Sequence, residues 1–306
     1  MKIEPLEFGG WKNCLRLAND HAEVVVTFEV GPRIVSYHAP HGANVLKMNS
    51  EELGKSWERD FVIRGGHRLW LAPENDRTYA PDNGPAEHEI LPPNAVRLTN
   101  AAYAPWHIKK ELTVSMAADS SSVVIEHRAT NQGSQPTEIA TWGLTVMQPG
   151  GLEIIPLPPL GEHPRDLQPN RTMVLWPYTD MFDERWRWGR KFITLRQTAH
   201  SSPAKLGLAH RTEWVGYLMK NALFIKTFAF DGAAKYPDCG CNFETFTNAT
   251  MLEMETLSPL RTLAPGESVG HTETWHLLAS VPEPHSLKED ALEEWLEPLL
   301  AELGLQ

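Results

Sequence analysis

Cysteine is scarce in this 306-residue chain, which has only Cys14, Cys239 and Cys241. The count is odd and the last two form Cys-Gly-Cys, which suits neither a disulfide framework nor a zinc spacing. Free, buried thiols in a reducing compartment are expected. Positive charge is also short. Against 39 Asp and Glu stand 28 Lys and Arg, a formal net charge of -11, whereas a nucleic-acid-binding face needs a basic surface. No apolar run approaches the roughly 20 residues that cross a bilayer. The opening "MKIEPLEFGGWKNCLRLAND" lacks the apolar centre of a secretory signal. These absences predict a cytoplasmic protein with no nucleic-acid or membrane partner; oligomeric state is left open. There is no HExxH, no Gly-rich phosphate loop and no GxSxG elbow, and the 13 histidines are scattered. Neither a cofactor nor a dedicated metal centre is therefore expected, with Ca²⁺ at the acidic clusters left open.

Helical periodicity is missing until the end, where "SLKEDALEEWLEPLLAELG" (286–304) aligns Leu287, Leu292, Trp295, Leu296, Leu299, Leu300 and Leu303 on one face. Ser286 is the expected N-cap, Gly304 the stop and Pro298 a kink. The apolar face should dock on the rest of the fold, with a partner helix as the other option. What the chain has in quantity is alternation. "AEVVVTFEV" (22–30), "AVRLTN" (95–100), "ELTVSM" (111–116), "SVVIEHRAT" (122–130), "TEIATWGLTVM" (137–147), "KFITLRQ" (191–197), "ALFIKTFAF" (222–230), "MLEMETL" (251–257) and "HTETWHLLAS" (271–280) read as strands between Gly, Pro, Asn and Asp turns. Many strands without βα alternation predict an all-β, antiparallel β-sandwich in one domain, 1–306. The Pro- and Trp-rich segment 149–190 reads as a long loop excursion over one mouth of it.

Tryptophan is unusually abundant, eleven against ten Phe and six Tyr. Trp70, Trp176, Trp186 and Trp188 lie beside charged clusters, an arrangement that suits sugars, whose C–H faces stack while their hydroxyls hydrogen-bond; core filling is the other use. In "FVIRGGHRLWLAPEN" (61–75) two glycines interrupt an apolar run. They either clear the sheet for a ligand, with His67, Arg68 and Trp70 around it, or form a β-bulge. Glu253 and Glu255 fall on one face of a strand, their Cα atoms roughly 6.5–7 Å apart. They suit acid–base work or a cation, or simply an outward polar face. Glu244, between Phe243 and Phe246, has the apolar frame that raises a carboxyl's pKa toward a general base's range.

"GPRIVSYHAPHGANVLK" (31–47), "GGHRLW" (65–70), "CNFETFTNA" and "LSPLRTLAPGESVGHTETWHL" resemble galactose mutarotase-like proteins, the aldose 1-epimerases among them. With "LWPYTDMFDERWRWG" the chain resembles more closely a branch of that superfamily known as a domain of unknown function. The resemblance implies a large supersandwich and a cofactor-free anomer interconversion of a small-molecule sugar. A glutamate takes the anomeric proton and a histidine protonates the ring oxygen; the alternative is non-catalytic carbohydrate binding on the same fold. Carried over, Glu244 is the base and His67 its catalytic partner, with His210 the other candidate acid. Asn44, Arg68, Trp70, Glu74, Trp176, Asp183, Arg185, His210 and Glu255 are expected around the sugar. One position departs from the pattern: the strand after Thr130-Asn131 has no histidine, and Trp142 stands about where it would fall.

Overall fold

Alternate residues are buried along Val123–Asn131, as the period-2 pattern of a half-exposed strand requires, while strands at the centre of the fold are buried on both faces. The computed structural model describes residues 1–100, 106–200 and 202–305. In chain order the strands are β1 (Lys2–Phe8), β2 (Trp11–Ala18), β3 (Glu23–Thr27), β4 (Arg33–His38), β5 (His67–Ala72), β6 (Glu87–Leu91) and β7 (Ala95–Asn100). There follow β8 (Ile108–Met116), β9 (Val123–Asn131), β10 (Thr137–Met147), β11 (Leu152–Pro156), β12 (Met173–Leu175), β13 (Trp186–Trp188) and β14 (Phe192–Arg196). The last are β15 (Ala204–Leu208), β16 (Trp214–Met219), β17 (Ala222–Phe228), β18 (Phe243–Thr247), β19 (Leu252–Leu257), β20 (Arg261–Leu263) and β21 (Ser268–Ala279), before helix α1 (Glu289–Glu302).

They form two antiparallel sheets. The eleven-stranded sheet runs β1-β2-β3-β4-β5-β10-β19-β18-β15-β12, with β20 added to β10. The ten-stranded sheet runs β13-β14-β11-β16-β17-β21-β9-β8-β7-β6. Leu17, Val26, Leu206, Phe243 and Met254 of the first pack on Leu98, Leu112, Ile125, Tyr217, Phe224 and Trp275 of the second. Each such side chain contributes roughly 1.5–3 kcal/mol of burial. The antiparallel sandwich expected from the alternation is therefore present.

Two boundaries differ from expectation. The segment 149–190 contains strands: β11 lies inside the ten-stranded sheet between β14 and β16, while β12 and β13 are short edge strands. All five residues of β11 are buried, so it lacks the alternation that marks a half-exposed strand. Helix α1 begins two residues later than an N-cap at Ser286 would place it, with Lys288 in the cap position. Ser286 Oγ accepts from Lys288 N at 3.1 Å and so caps the turn before the helix. The helix lays Leu292, Leu296 and Leu300 on Ile154, Phe192, Trp214, Leu223 and Ile225, covering the outer side of the ten-stranded sheet.

The glycine pair ahead of β5 has a definite cause. Gly65 and Gly66 adopt φ of 84° and 70°. A Cβ on Gly65 would run into the carbonyl oxygen of Lys47, and one on Gly66 into that of Ile34. Gly66 N donates to Lys47 O at 2.8 Å, and Gly66 O accepts from Val146 N at 2.9 Å. The space the glycines leave is thus filled by neighbouring backbone, and the expectation that they open the sheet to a ligand is corrected. Gly66→Ala should cost roughly 2–4 kcal/mol in urea unfolding, the left-handed penalty plus a displaced carbonyl. Gly266→Ala, at φ 86° with nothing near its absent Cβ, should cost only the conformational part, roughly 1–2 kcal/mol. Equal losses would remove the role given to the close approach.

Candidate functional site

Residues paired directly across antiparallel strands share a face. Arg68 pairs with Leu144 and Trp70 with Trp142, Leu144 with Glu255, Glu255 with Glu244 and Glu253 with Phe246, and Phe246 with Lys205. Arg68, Trp70, Trp142, Glu253, Glu255, Glu244 and Lys205 therefore stand on one face. Their neighbours Leu206, Phe243 and Met254 belong to the core between the sheets, so this is the outer face of the larger sheet. It carries its own apolar patch, Trp70, Ala72, Ala140, Trp142, Leu144 and Leu257, partly roofed by Phe61 and Leu260.

Lys205 occupies the middle of that face. Its Nζ lies 2.7 Å from Glu244 Oε2 and 3.0 Å from Glu255 Oε2. It also sits 4.5 Å from the ring centre of Trp142 and 4.6 Å from that of Trp176. Trp142 Nε1 donates to the same Glu255 oxygen at 2.9 Å. Beside this group, the Arg68 guanidinium stacks on Trp70 at 4.0 Å, with Nη2 3.9 Å from Glu253 Oε1. At the rim, exposed Glu74 accepts a hydrogen bond from Tyr79, whose ring packs edge-on against Trp70. Burial pushes Glu253 up to about 7, with Glu255 adding to the rise. Burial also holds Glu244 well above the usual carboxylate range, while Lys205 draws it back. Burial disfavours the ammonium of Lys205, but Glu255 and Glu244 outweigh it and hold its pKa above that of a free lysine.

Not every expected residue comes here. His67 precedes Arg68 on β5 and so points inward, between the sheets. Its Nδ1 meets Thr145 Oγ1 at 2.8 Å and its Nε2 meets His127 Nε2 at 2.7 Å. It does not reach the face carrying Glu244, so the expected Glu244–His67 pair does not form. His210 is buried with its Nε2 2.7 Å from Trp214 O and 2.9 Å from Thr212 Oγ1, packed against Phe228 and Phe243. Burial lowers its pKa to about 4, which does not suit an acid near neutrality. Asn44 spends its side chain on its own turn, accepting from Tyr37 N and Leu46 N and donating to Val35 O, each at 3.0 Å. Asp183 and Arg185 form a two-pronged ion pair, and Arg185 Nη2 also donates to Ser202 O at 2.7 Å. Arg68, Trp70, Trp176, Glu244 and Glu255 do come together, with Glu74 at the rim. Lys205 was missed; its only signal is a charge inside the apolar run "AKLGL".

The interior has a polar network of its own. His127 stacks on His271 with ring centres 4.3 Å apart. Glu273 accepts from Trp275 Nε1 at 2.8 Å and Thr256 Oγ1 at 2.5 Å, and lies 3.1 Å from Lys226 Nζ. His67, His127 and Glu273 each offer a ligand atom, all within 4.8 Å of one another. Those atoms are already engaged in hydrogen bonds, and the adjacent ammonium opposes a second cation. This is proton-sharing architecture, not an assembled metal cage. Glu153 on β11 is also buried, with neither carboxyl oxygen partnered.

No family model matches the chain, nor does any curated protein. Solved structures do. A candidate aldose 1-epimerase from Klebsiella pneumoniae is 11% identical with a TM-score of 0.62, over 98% of this chain and 87% of that one. A galactose mutarotase-like protein from Lactobacillus casei is 9% identical with a TM-score of 0.59, over 87% and 100%. One from Clostridium acetobutylicum is 11% identical with a TM-score of 0.53, over 91% and 98%. At such identities the likeness is one of fold: the chain has the galactose mutarotase-like β-sandwich.

Burial of Glu153 has a measurable consequence. Its folded pKa is raised to about 8 by burial, against about 4.3 in an unfolded chain. A carboxyl with a raised folded pKa contributes stability in full below the unfolded value, and loses it as pH rises through the folded one. Between pH 6.5 and pH 8, with the titration of every other group common to both proteins, wild type should lose roughly 2 kcal/mol more than Glu153→Gln. Parallel urea-stability curves for the two proteins would contradict this.

Proposed function

We propose that the outer face of the eleven-stranded sheet binds a saccharide, and that Glu244 is the general base of an aldose 1-epimerase-type anomer interconversion. Buried polar atoms without partners carry this reading. Arg68 Nε and Nη1, Glu253 Oε1 and Glu244 Oε1 are buried there and make no hydrogen bond within the protein. Leaving such groups unpaired costs about 1–3 kcal/mol each. The set contains donors and acceptors together, flanked by indole faces, which matches a polyhydroxylated ring. The relatives described as aldose 1-epimerases and mutarotases share the fold, which supports the same direction.

The chemistry needs one group to take the anomeric O–H proton and another to protonate the ring oxygen. The C1–O5 bond then breaks to an open-chain aldehyde, C1–C2 rotates, and the reverse transfers close the ring from the other side. Glu253, on the strand beside Glu244 and two residues along from the Glu244–Glu255 pair, supplies the second carboxyl, its pKa raised by burial to about 7. The two carboxyls share a proton, with Glu244 the basic member because the Lys205 ammonium touches its carboxylate. Glu253 stands in for the histidine of the family reaction, whose position on β10 is held here by Trp142. That replacement is also the observation favouring the alternative, binding without turnover.

Saturation-transfer and exchange NMR across a panel of aldoses should separate the readings. One or more sugars should bind and interconvert faster than in buffer. Glu244→Gln should lose about 10²–10⁴-fold in rate while retaining binding. Binding with no acceleration would leave only the binding reading, and no binding at all would overturn both.

A further inference from the structure

The two carboxylates that meet Lys205 are held unequally. Oε2 of Glu255 takes two donors, the ammonium at 3.0 Å and the Trp142 indole at 2.9 Å. Glu244 has the ammonium alone, as an ion pair 2.7 Å from Oε2, and neither of its oxygens accepts a hydrogen bond. The lysine itself has little freedom. Thr179 Oγ1 donates to Lys205 O at 2.7 Å and accepts from Lys205 N at 2.9 Å, fixing β15 to the segment that carries Trp176. The two indoles box the ammonium at 4.5 and 4.6 Å, a cation–π contact that strengthens when desolvated.

Burying an ammonium costs several kcal/mol, and packing alone would be served as well by an apolar residue of similar volume. We propose that Lys205 is the positioning residue of this site: it fixes Glu255 as a permanent counter-ion and leaves Glu244 as the carboxyl that exchanges a proton with the ligand. This rests on the saccharide reading for the identity of the ligand, but not for the behaviour of the carboxyls. The charged and titratable groups facing the trio are Arg68 from β5, Glu253 from β19, Glu74 and Tyr79 from the segment after β5, Tyr178 beside Trp176, and Asp238 and Cys241 from the turn before β18. Among them Lys205 is the cation in direct contact with Glu244, so its removal should release that carboxyl more than any other.

The test is carboxyl ¹³C NMR titration of the glutamates in wild type, Lys205→Met and Lys205→Arg, with no sugar present. In Lys205→Met the Glu244 midpoint should move up by roughly one to three pH units, the effect of losing an opposite charge at contact. Lys205→Arg should stay near wild type. Lys205→Gly should recover the wild-type midpoint when methylammonium is added, since the box of two indoles and two carboxylates remains. A Glu244 curve unchanged in Lys205→Met, or unmoved by methylammonium in Lys205→Gly, would overturn the proposal. If Lys205→Met fails to fold, the methylammonium arm and Lys205→Arg decide. If the titrations behave as stated but no sugar binds wild type, the saccharide reading falls and the role of Lys205 stands.

Discussion

Successive residues of a β-strand point to opposite faces, and the central strands of the larger sheet carry polar residues on both. β5 sends His67 inward and Arg68 outward. β10 sends Thr145 inward and Trp142 outward. β18 divides Thr245 from Glu244, and β19 divides Thr256 from Glu255. This single constraint sorts the ionisable residues into two networks separated by one thickness of backbone. It explains why neighbours in sequence do not cooperate in space, and why strands distant in sequence do.

The two networks are built differently. Inside, His67, His127, His271, Thr145, Thr256, Glu273 and Lys226 give hydrogen bonds to one another. A buried network with its partners supplied rigidifies a core. Glu153 and Thr245 are the interior exceptions, buried with oxygens unpartnered, but among the described residues no indole-stacked cation accompanies them. Outside, the groups are as deeply buried but partly unpaired, and the apolar surroundings raise the pKa of Glu244 and Glu253. Buried donors and acceptors without partners, beside carboxyls with shifted pKa, mark a place that expects a ligand. The contrast favours the outer face over the histidine cluster as the functional site, although the cluster has the more conspicuous residue types.

Much of the fold was legible because half-exposed antiparallel strands write their period into the sequence. "TEIATWGLTVM" is β10 residue for residue. Strands buried on both sides write no period, which is why "LEIIP" was absorbed into an apparent loop. Of the site, Glu244, Glu255, Arg68 and Trp70 were readable from their frames. The pairing of Glu244 with His67 was not sustainable alongside a role for Arg68, since adjacent strand residues cannot share a face. Asn44 and His210 show the opposite limit: polar side chains satisfied by nearby backbone, with the Thr212 hydroxyl added for His210, look, in sequence, like ligand contacts. Lys205 was hidden because its partners lie on strands some forty to fifty residues away.

The central claim is that ligand binds on the outer face of the larger sheet. It is tested most directly by ¹H–¹⁵N indole spectra during titration with a panel of aldoses. Trp142 and Trp176, which box Lys205, should shift saturably. Trp275, between the sheets, and Trp214, which lines a trough near the end of α1 with Thr227, Thr272 and Leu305, should stay still. Saturable binding that moves Trp214 or Trp275 while leaving Trp142 unchanged would contradict the claim.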